Sequence, residues 1–111
     1  MLDLLEPSER IRADARLRNV RVTLHAHREM VEESIALDDV LDALASAEVL
    51  ENYPEHRRGP CGLVVGYTSR GRPLHVVCTT SQPVLIIITV YEPKAPKWAT
   101  PTQRGERRHE V

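Results

Sequence analysis

The segment Pro83-Val-Leu-Ile-Ile-Ile-Thr-Val-Tyr91 constrains the fold of this chain most. It is the most β-branched run in the sequence and has almost no polar interruption. β-Branched side chains are stiff at χ1 and pack well on a pleated surface, so the run favours a strand. Neither face of that strand suits water. It is expected inside a sheet, with strands beside it and cover on both faces.

The neighbours can be read in turn. Val20–Leu24 alternates Val20, Val22 and Leu24 against Arg21 and Thr23, a strand pattern. Val49–Tyr53, Cys61–Thr68 and Pro73–Thr79 read as further strands, the last two joined by a turn around Arg70-Gly71. Leu37, Val40, Leu41, Leu44 and Ala45 follow the spacing of a core-facing helix over Leu37–Ser46, with Asp38 and Asp39 in its first turn. A shorter helix is expected over His25–Ser34, capped near Thr23 or Leu24. A first helix over Ser8–Arg18 has only a thin apolar stripe and Ser8 as its cap. It reads as a peripheral arm or partner-binding element, residues 1–19. Helices followed by a run of strands predict an α+β fold. Two or three helices should lie on one face of a mostly antiparallel sheet of four to five strands. The domain spans residues 20–98. From Pro93 the composition turns to Pro, Lys, Thr and Arg, so residues 99–111 read as a disordered tail.

At 111 residues the chain is one domain, long enough to bury a core without disulfides or metal. The net charge of −1 exerts no general pull on nucleic acid or membrane. The distribution is uneven. Residues 28–51 carry one Arg and eight acids, a local −7, whereas residues 52–111 carry nine basic and four acidic side chains, a local +5. A polyanion should therefore meet the second half, and a basic partner the acidic middle. The acidic N-terminus without an apolar run, and a longest apolar stretch of Val84–Ile88, predict a cytoplasmic protein with no membrane span. Cys61 and Cys78 read as reduced, packed thiols.

Three patches can carry chemistry. On a helical wheel His25, Arg28, Glu29 and Glu32 share one side, and Ala26, His27, Met30 and Val31 the other. His25 and His27 then point apart, which argues against a metal pair. No other set has metal spacing, so no metal or other cofactor is expected. His25 sits where a helix N-terminus disfavours imidazolium, which suits a general base or a phosphate contact. His27 reads as a core-edge residue. A hairpin turning at Arg70-Gly71 would set His75 opposite Gly66, on a face shared with Gly62, leaving open volume for a ligand. Tyr91 and Trp98, with Lys94 and Lys97 beside them, can stack a base, although a Trp in a tail also serves as an anchor. Arg57, Arg58, Arg70 and Arg72 are loop and turn cations whose default is solvation. No Ser-His-Asp order, paired buried carboxylates or phosphate-cradling glycine loop is present.

These patches carry a resemblance. Thr23-Leu-His-Ala-His-Arg-Glu-Met30, Ile35, Asp38-Asp-Val40, Glu48-Val-Leu-Glu-Asn-Tyr-Pro54, Arg72-Pro-Leu-His-Val-Val77, Ile88-Thr-Val-Tyr-Glu-Pro93 and Trp98 follow in the order and spacing of a bacterial domain-of-unknown-function family, number 4258. The chain resembles that family over about Val20–Trp98. The family in turn resembles the RelE and BrnT group of small toxins, which implies helices on a curved antiparallel sheet. It also implies a small zinc-finger antitoxin of the YgiT type as partner, RNA as substrate, and metal-independent RNA cleavage. On that resemblance His25, His75 and Tyr91 are the catalytic candidates. Arg28, Arg70, Arg72, Lys97 and Trp98 are the phosphate and substrate contacts. Two features depart from it: Glu29 precedes Met30 where the family reads arginine, and the pI is about 6.5 where the toxins are basic. The rival expectation is a non-catalytic binding or autoregulatory module of the same fold with structural histidines. An open sheet edge would permit a homodimer.

Overall fold

The structure is a computed structural model and describes residues 6–105. Three helices, α1 (Pro7–Arg16), α2 (Leu24–Glu32) and α3 (Leu37–Leu44), share one core with a five-stranded sheet. The strands are β1 (Val20–Val22), β2 (Glu48–Tyr53), β3 (Cys61–Tyr67), β4 (Pro73–Thr79) and β5 (Leu85–Tyr91), in spatial order β1-β5-β4-β3-β2. Strands β2 to β5 are antiparallel, and β1 runs parallel to β5. This is the expected α+β architecture. A small antiparallel ribbon, β6 (Trp98–Thr100) and β7 (Gln103–Arg104), follows β5.

Local chemistry explains the boundaries. Thr23 Oγ1 accepts from Ala26 N at 3.1 Å and caps α2, while its hydroxyl donates to the Ile88 carbonyl at 3.1 Å. One side chain thus starts the helix and ties it to β5. α1 begins one residue earlier than expected. Pro7 takes its first position, where a missing N–H costs nothing, and Glu9 accepts from Glu6 N at 3.1 Å.

α1 is not a peripheral arm. Ile11 is fully buried and Ala15 nearly so, both in the common core. Its polar side is also engaged. Arg10 donates to the Thr80 and Gln82 carbonyls, Arg12 to Ala47 O and Arg16 to Ala45 O. Arginines on the flanks of a thin stripe can bind carbonyls at helix ends and loops, so a narrow apolar face suffices. The first five residues of the expected arm lie outside the described residues.

β5 lies between β1 and β4, as an apolar run demands, but its cover is uneven. Leu85, Ile87 and Val90 are buried against the helices, whereas Ile86 and Ile88 are half-buried. β1 pairs only with Leu85–Ile87, so the strand's outer edge is open beyond that point. The carboxylates of Glu29 in α2 and of Glu33, its C-cap, close it. Glu29 Oε1 accepts from Val90 N at 2.9 Å and from the Thr89 hydroxyl, and Glu33 Oε1 accepts from Glu92 N at 3.0 Å. Residues i and i+4 of a helix lie about 6 Å apart along its axis. Strand residues i and i+2 lie about 6.7 Å apart. The two repeats match, so one helix face supplies a ladder of acceptors.

The expected disordered tail is ordered at least as far as Gly105. Trp98 pairs with Arg104 across the ribbon, and Gly105 N bonds Lys97 O at 2.8 Å. Pro101 and Thr102 make its turn, and Trp98 supplies the apolar anchor that the rest of the segment lacks. Residues 106–111 lie outside the described residues.

Candidate functional site

The β3–β4 hairpin turns one residue away from the expected register. Thr68 N bonds Arg72 O at 2.9 Å and Gly71 N bonds Thr68 O at 2.8 Å, enclosing a three-residue loop with Gly71 at φ +86°. His75 therefore pairs with Val65, and Gly66 pairs with Leu74. Gly66 leaves no ligand space, because a Cβ there would lie 1.9 Å from Ala43 O of α3. Leu74 and Val76 point into the helix-covered core, so His75 points to the opposite face.

On that face His75 is fully buried, and the ribbon covers it. Nε2 donates to the Pro101 carbonyl at 2.6 Å, so Nδ1 carries the lone pair and accepts from Tyr91 Oη at 3.3 Å. Trp98 packs edge-on against the imidazole at 4.3 Å, and burial pushes the His75 pKa down. The ring is neutral, and both nitrogens are engaged. Burial also raises the Tyr91 phenol, which is only half-buried.

The ribbon is latched at its end. Arg104 forms a bidentate pair with Glu51 at 2.8 and 2.7 Å, and Tyr53 Oη donates to the same carboxylate at 2.6 Å. The Arg104 guanidinium, followed by the Tyr53 hydroxyl, pulls Glu51 down to about 2. Burial and then the Glu51 hydrogen bond push Tyr53 up to about 12. Arg104 also lies 4.7 Å over the Trp98 ring, and Lys97 Nζ stands 6.0 Å from the Tyr91 centroid.

Beside the latch opens a cavity of about 480 Å³. Lys94, Lys97 and Arg104, Glu29, Glu33 and Glu92, and Tyr53, Tyr91 and Trp98 are among the residues that line it. The lining holds three cations and three carboxylates, so its formal charges balance.

The structure therefore brings His75, Tyr91, Lys97 and Trp98 together. Trp98, 3 % exposed, acts as the anchor and is not free to stack a base. Arg72 is committed elsewhere. It donates to Glu92 at 2.8 Å and to the Glu33 and Ser34 carbonyls, closing the C-terminus of α2. Arg70 is exposed in the hairpin turn. His25 and Arg28 are exposed on α2, away from His75, with His25 Nε2 3.5 Å from Glu29. His27, read as a core-edge residue, is exposed, because Glu29 and not His27 turns toward the sheet. Among the described residues no three His, Cys, Asp or Glu side chains converge to hold a metal ion.

Glu51, Tyr53 and Arg104 escaped the sequence reading. Tyr53 and Glu51 share a strand face by their spacing, a usable signal, but nothing local links them to Arg104, 53 residues away.

A family model described as Domain of unknown function (DUF4258) matches residues 22–92, from β1 to the residue after β5. The chain belongs to that family. The match contains α2, α3, all of β2 to β5 and both His25 and His75, and it ends before the ribbon that covers His75. No curated protein and no solved structure matches the chain. No described helix is long and apolar enough to cross a membrane.

Proposed function

We propose that the protein is the toxin-like component of a bacterial toxin–antitoxin module. It would act as a metal-independent endoribonuclease of the RelE and BrnT type. The observation that carries this reading is the cavity beside the Tyr91–His75 pair. A neutral phenol, held by a neutral imidazole, opens onto a concave surface that Lys97 also lines. Such a surface suits a nucleotide, with aromatic and carboxylate groups for a base and lysine for a phosphate. In this reading Tyr91 touches RNA, His75 positions Tyr91, and His25 is the exposed acid–base group. Arg72 and Trp98 support the fold.

The partner would be a small zinc-finger antitoxin of the YgiT type. A basic surface on it would complement the −7 stretch of residues 28–51. A second reading, a non-catalytic protein-binding module, draws on α2. Leu24 and Val31, seven residues apart on one helix face, are 63 % and 66 % exposed.

The test is induced expression of the full chain in a bacterial host beside Tyr91→Phe and His25→Ala, following growth and total RNA. Growth arrest with RNA loss, relieved by either soluble variant, is the expected result. Normal growth and intact RNA at high soluble expression would move the assignment to the binding module.

A further inference from the structure

The ribbon over His75 is held to the body by side chains. β6 pairs with β7 in a sheet of their own, apart from the five-stranded one. The backbone bonds at its ends also stay local, from Trp98 N to Lys94 O and from Gly105 N to Lys97 O. Among the described residues, every hydrogen bond between ribbon and body involves a side chain. His75 Nε2 donates to the Pro101 carbonyl and Arg104 pairs with Glu51, while Trp98 packs on the imidazole. Of residues 98–105 only Trp98 is buried. An element with so little buried area and no ladder to the sheet opens at lower cost than the strands beneath it.

Its fit is also incomplete. Trp98 is buried, yet its indole N–H has no hydrogen-bond partner. The indole bears on the Tyr91 phenol, lowering its pKa against the larger rise from burial, but is not aligned to hydrogen-bond it. A buried donor without an acceptor weakens the contact that places it there. A phenyl or isobutyl group in the same place would bring no such donor. The ribbon is therefore a weaker occupant of its own site than another segment of the same shape could be.

The three grips define what that face accepts. With Nδ1 engaged by Tyr91, His75 offers one N–H, which takes a carbonyl oxygen. Glu51, with Tyr53 donating to it, takes a cation, and the planar guanidinium of Arg104 meets it with two bonds. The imidazole takes a bulky apolar side chain against it. A carbonyl, a guanidinium and an apolar side chain together are the chemistry of a polypeptide. A phosphodiester would meet Glu51 as a like charge. Glu51 also closes the acidic stretch of residues 28–51, which suits a basic partner. Tyr53, Trp98 and Arg104 line the cavity of about 480 Å³, so an incoming chain reaches the latch before the ribbon leaves.

We propose that the face beneath the ribbon, built by Glu51, Tyr53, His75 and Tyr91, is a docking site for a peptide segment of a basic partner protein, with the ribbon as its displaceable occupant. The segment sets a backbone carbonyl on His75 Nε2 and an arginine on Glu51. In the place of Trp98 it sets a bulky apolar side chain that carries no N–H. Docking releases residues 98–105 from the body. The inference goes beyond the ribonuclease reading and does not rest on it, since the face takes its partner whether or not the chain cleaves RNA.

The test uses the wild-type full chain and a peptide of its own residues 93–105 carrying Trp98→Phe. That peptide has no tryptophan, so the emission reports only the chain's own Trp98. The expected result is a saturable red shift as Trp98 leaves for water, half complete below about 1 mM, the order of concentration at which a short tether presents the ribbon. A second peptide carrying Arg104→Gln as well should need about 10-fold more, since it lacks the bidentate pair with Glu51. Emission unmoved by the first peptide would overturn the inference, and so would equal potency of the two peptides. A red shift produced by single-stranded RNA and by neither peptide would give the face to nucleic acid and overturn it. A wild type that sediments as a dimer, and as a monomer with Arg104→Gln, would give the face to the ribbon of a second copy and overturn it too. The peptide titration leaves growth and RNA integrity unread, so its failure and that of the ribonuclease reading stay distinct.

Discussion

His75 and Glu51 make the region under the ribbon sensitive to acid. His75 is kept neutral by burial, so its folded pKa lies below its ordinary value. Below about pH 6.5 the unfolded chain takes up a proton that the folded one refuses, so stability falls with pH from there. Glu51, held at about 2, gives stability that is complete above its ordinary 4.5 and is lost as pH falls from 4.5 toward 2. Both effects have the same sign. We therefore expect the thermal midpoint to fall between pH 7 and pH 5, before Glu51 begins to protonate, and His75→Asn to flatten that part of the profile. A profile unchanged in His75→Asn would remove His75 as its source. Trp98 is the one tryptophan of the chain, so its fluorescence reports the ribbon directly during the titration.

At the scale of elements, two contacts hold helices against the sheet. Glu29 accepts from Val90 N and the Thr89 hydroxyl where β5 has lost its neighbour. Glu29→Ala would strand both donors, and unpaired, partly buried groups cost about 1–3 kcal/mol. Urea denaturation should show that loss, with a smaller one for Glu33→Ala, which frees a single N–H. Gly66→Ala tests the opposite side of the sheet. Its new methyl would meet the Ala43 backbone, which cannot move aside as a flexible side chain can. A loss of about 3 kcal/mol in the same assay, the upper end of the usual cost of overpacking, is the expected outcome. A neutral substitution there would mean that α3 sits further from β3.

For the whole molecule, charge is sorted by position rather than by total. The net charge is −1, yet the hollow between the start of α2 and the loop after β2 has Arg57 and Arg58 in its lining and no carboxylate there. On the ribonuclease reading proposed above, binding of single-stranded RNA weakens with salt, and each phosphate contact removed lowers the slope of log K against log salt by about 0.7. Arg57→Ala/Arg58→Ala should show that change by fluorescence anisotropy. Arg72→Ala should leave the slope alone and lower stability, since its guanidinium is engaged by Glu92 and the end of α2. The sheet edges also bear on association. β1 has only three residues and β2 is irregular between Val49 and Glu51, and short or bulged edges resist strand addition.

The sequence by itself determined the element order as far as β5, the α+β class and the interior place of Leu85–Tyr91, because those follow from local periodicity and β-branched composition. It also placed the α2 cap near Thr23, since capping chemistry acts within one helical turn. Only the tertiary structure decided three other matters. A three-residue turn set the hairpin register, which put His75 opposite Val65 and not Gly66. A single apolar anchor, Trp98, ordered a segment whose composition reads as coil, because a buried indole outweighs the polarity of its neighbours. The meeting of Glu51 with Arg104 joins residues whose separation in sequence leaves no periodic trace. Neighbourhood across a sheet is set by strand order, and no local pattern records it.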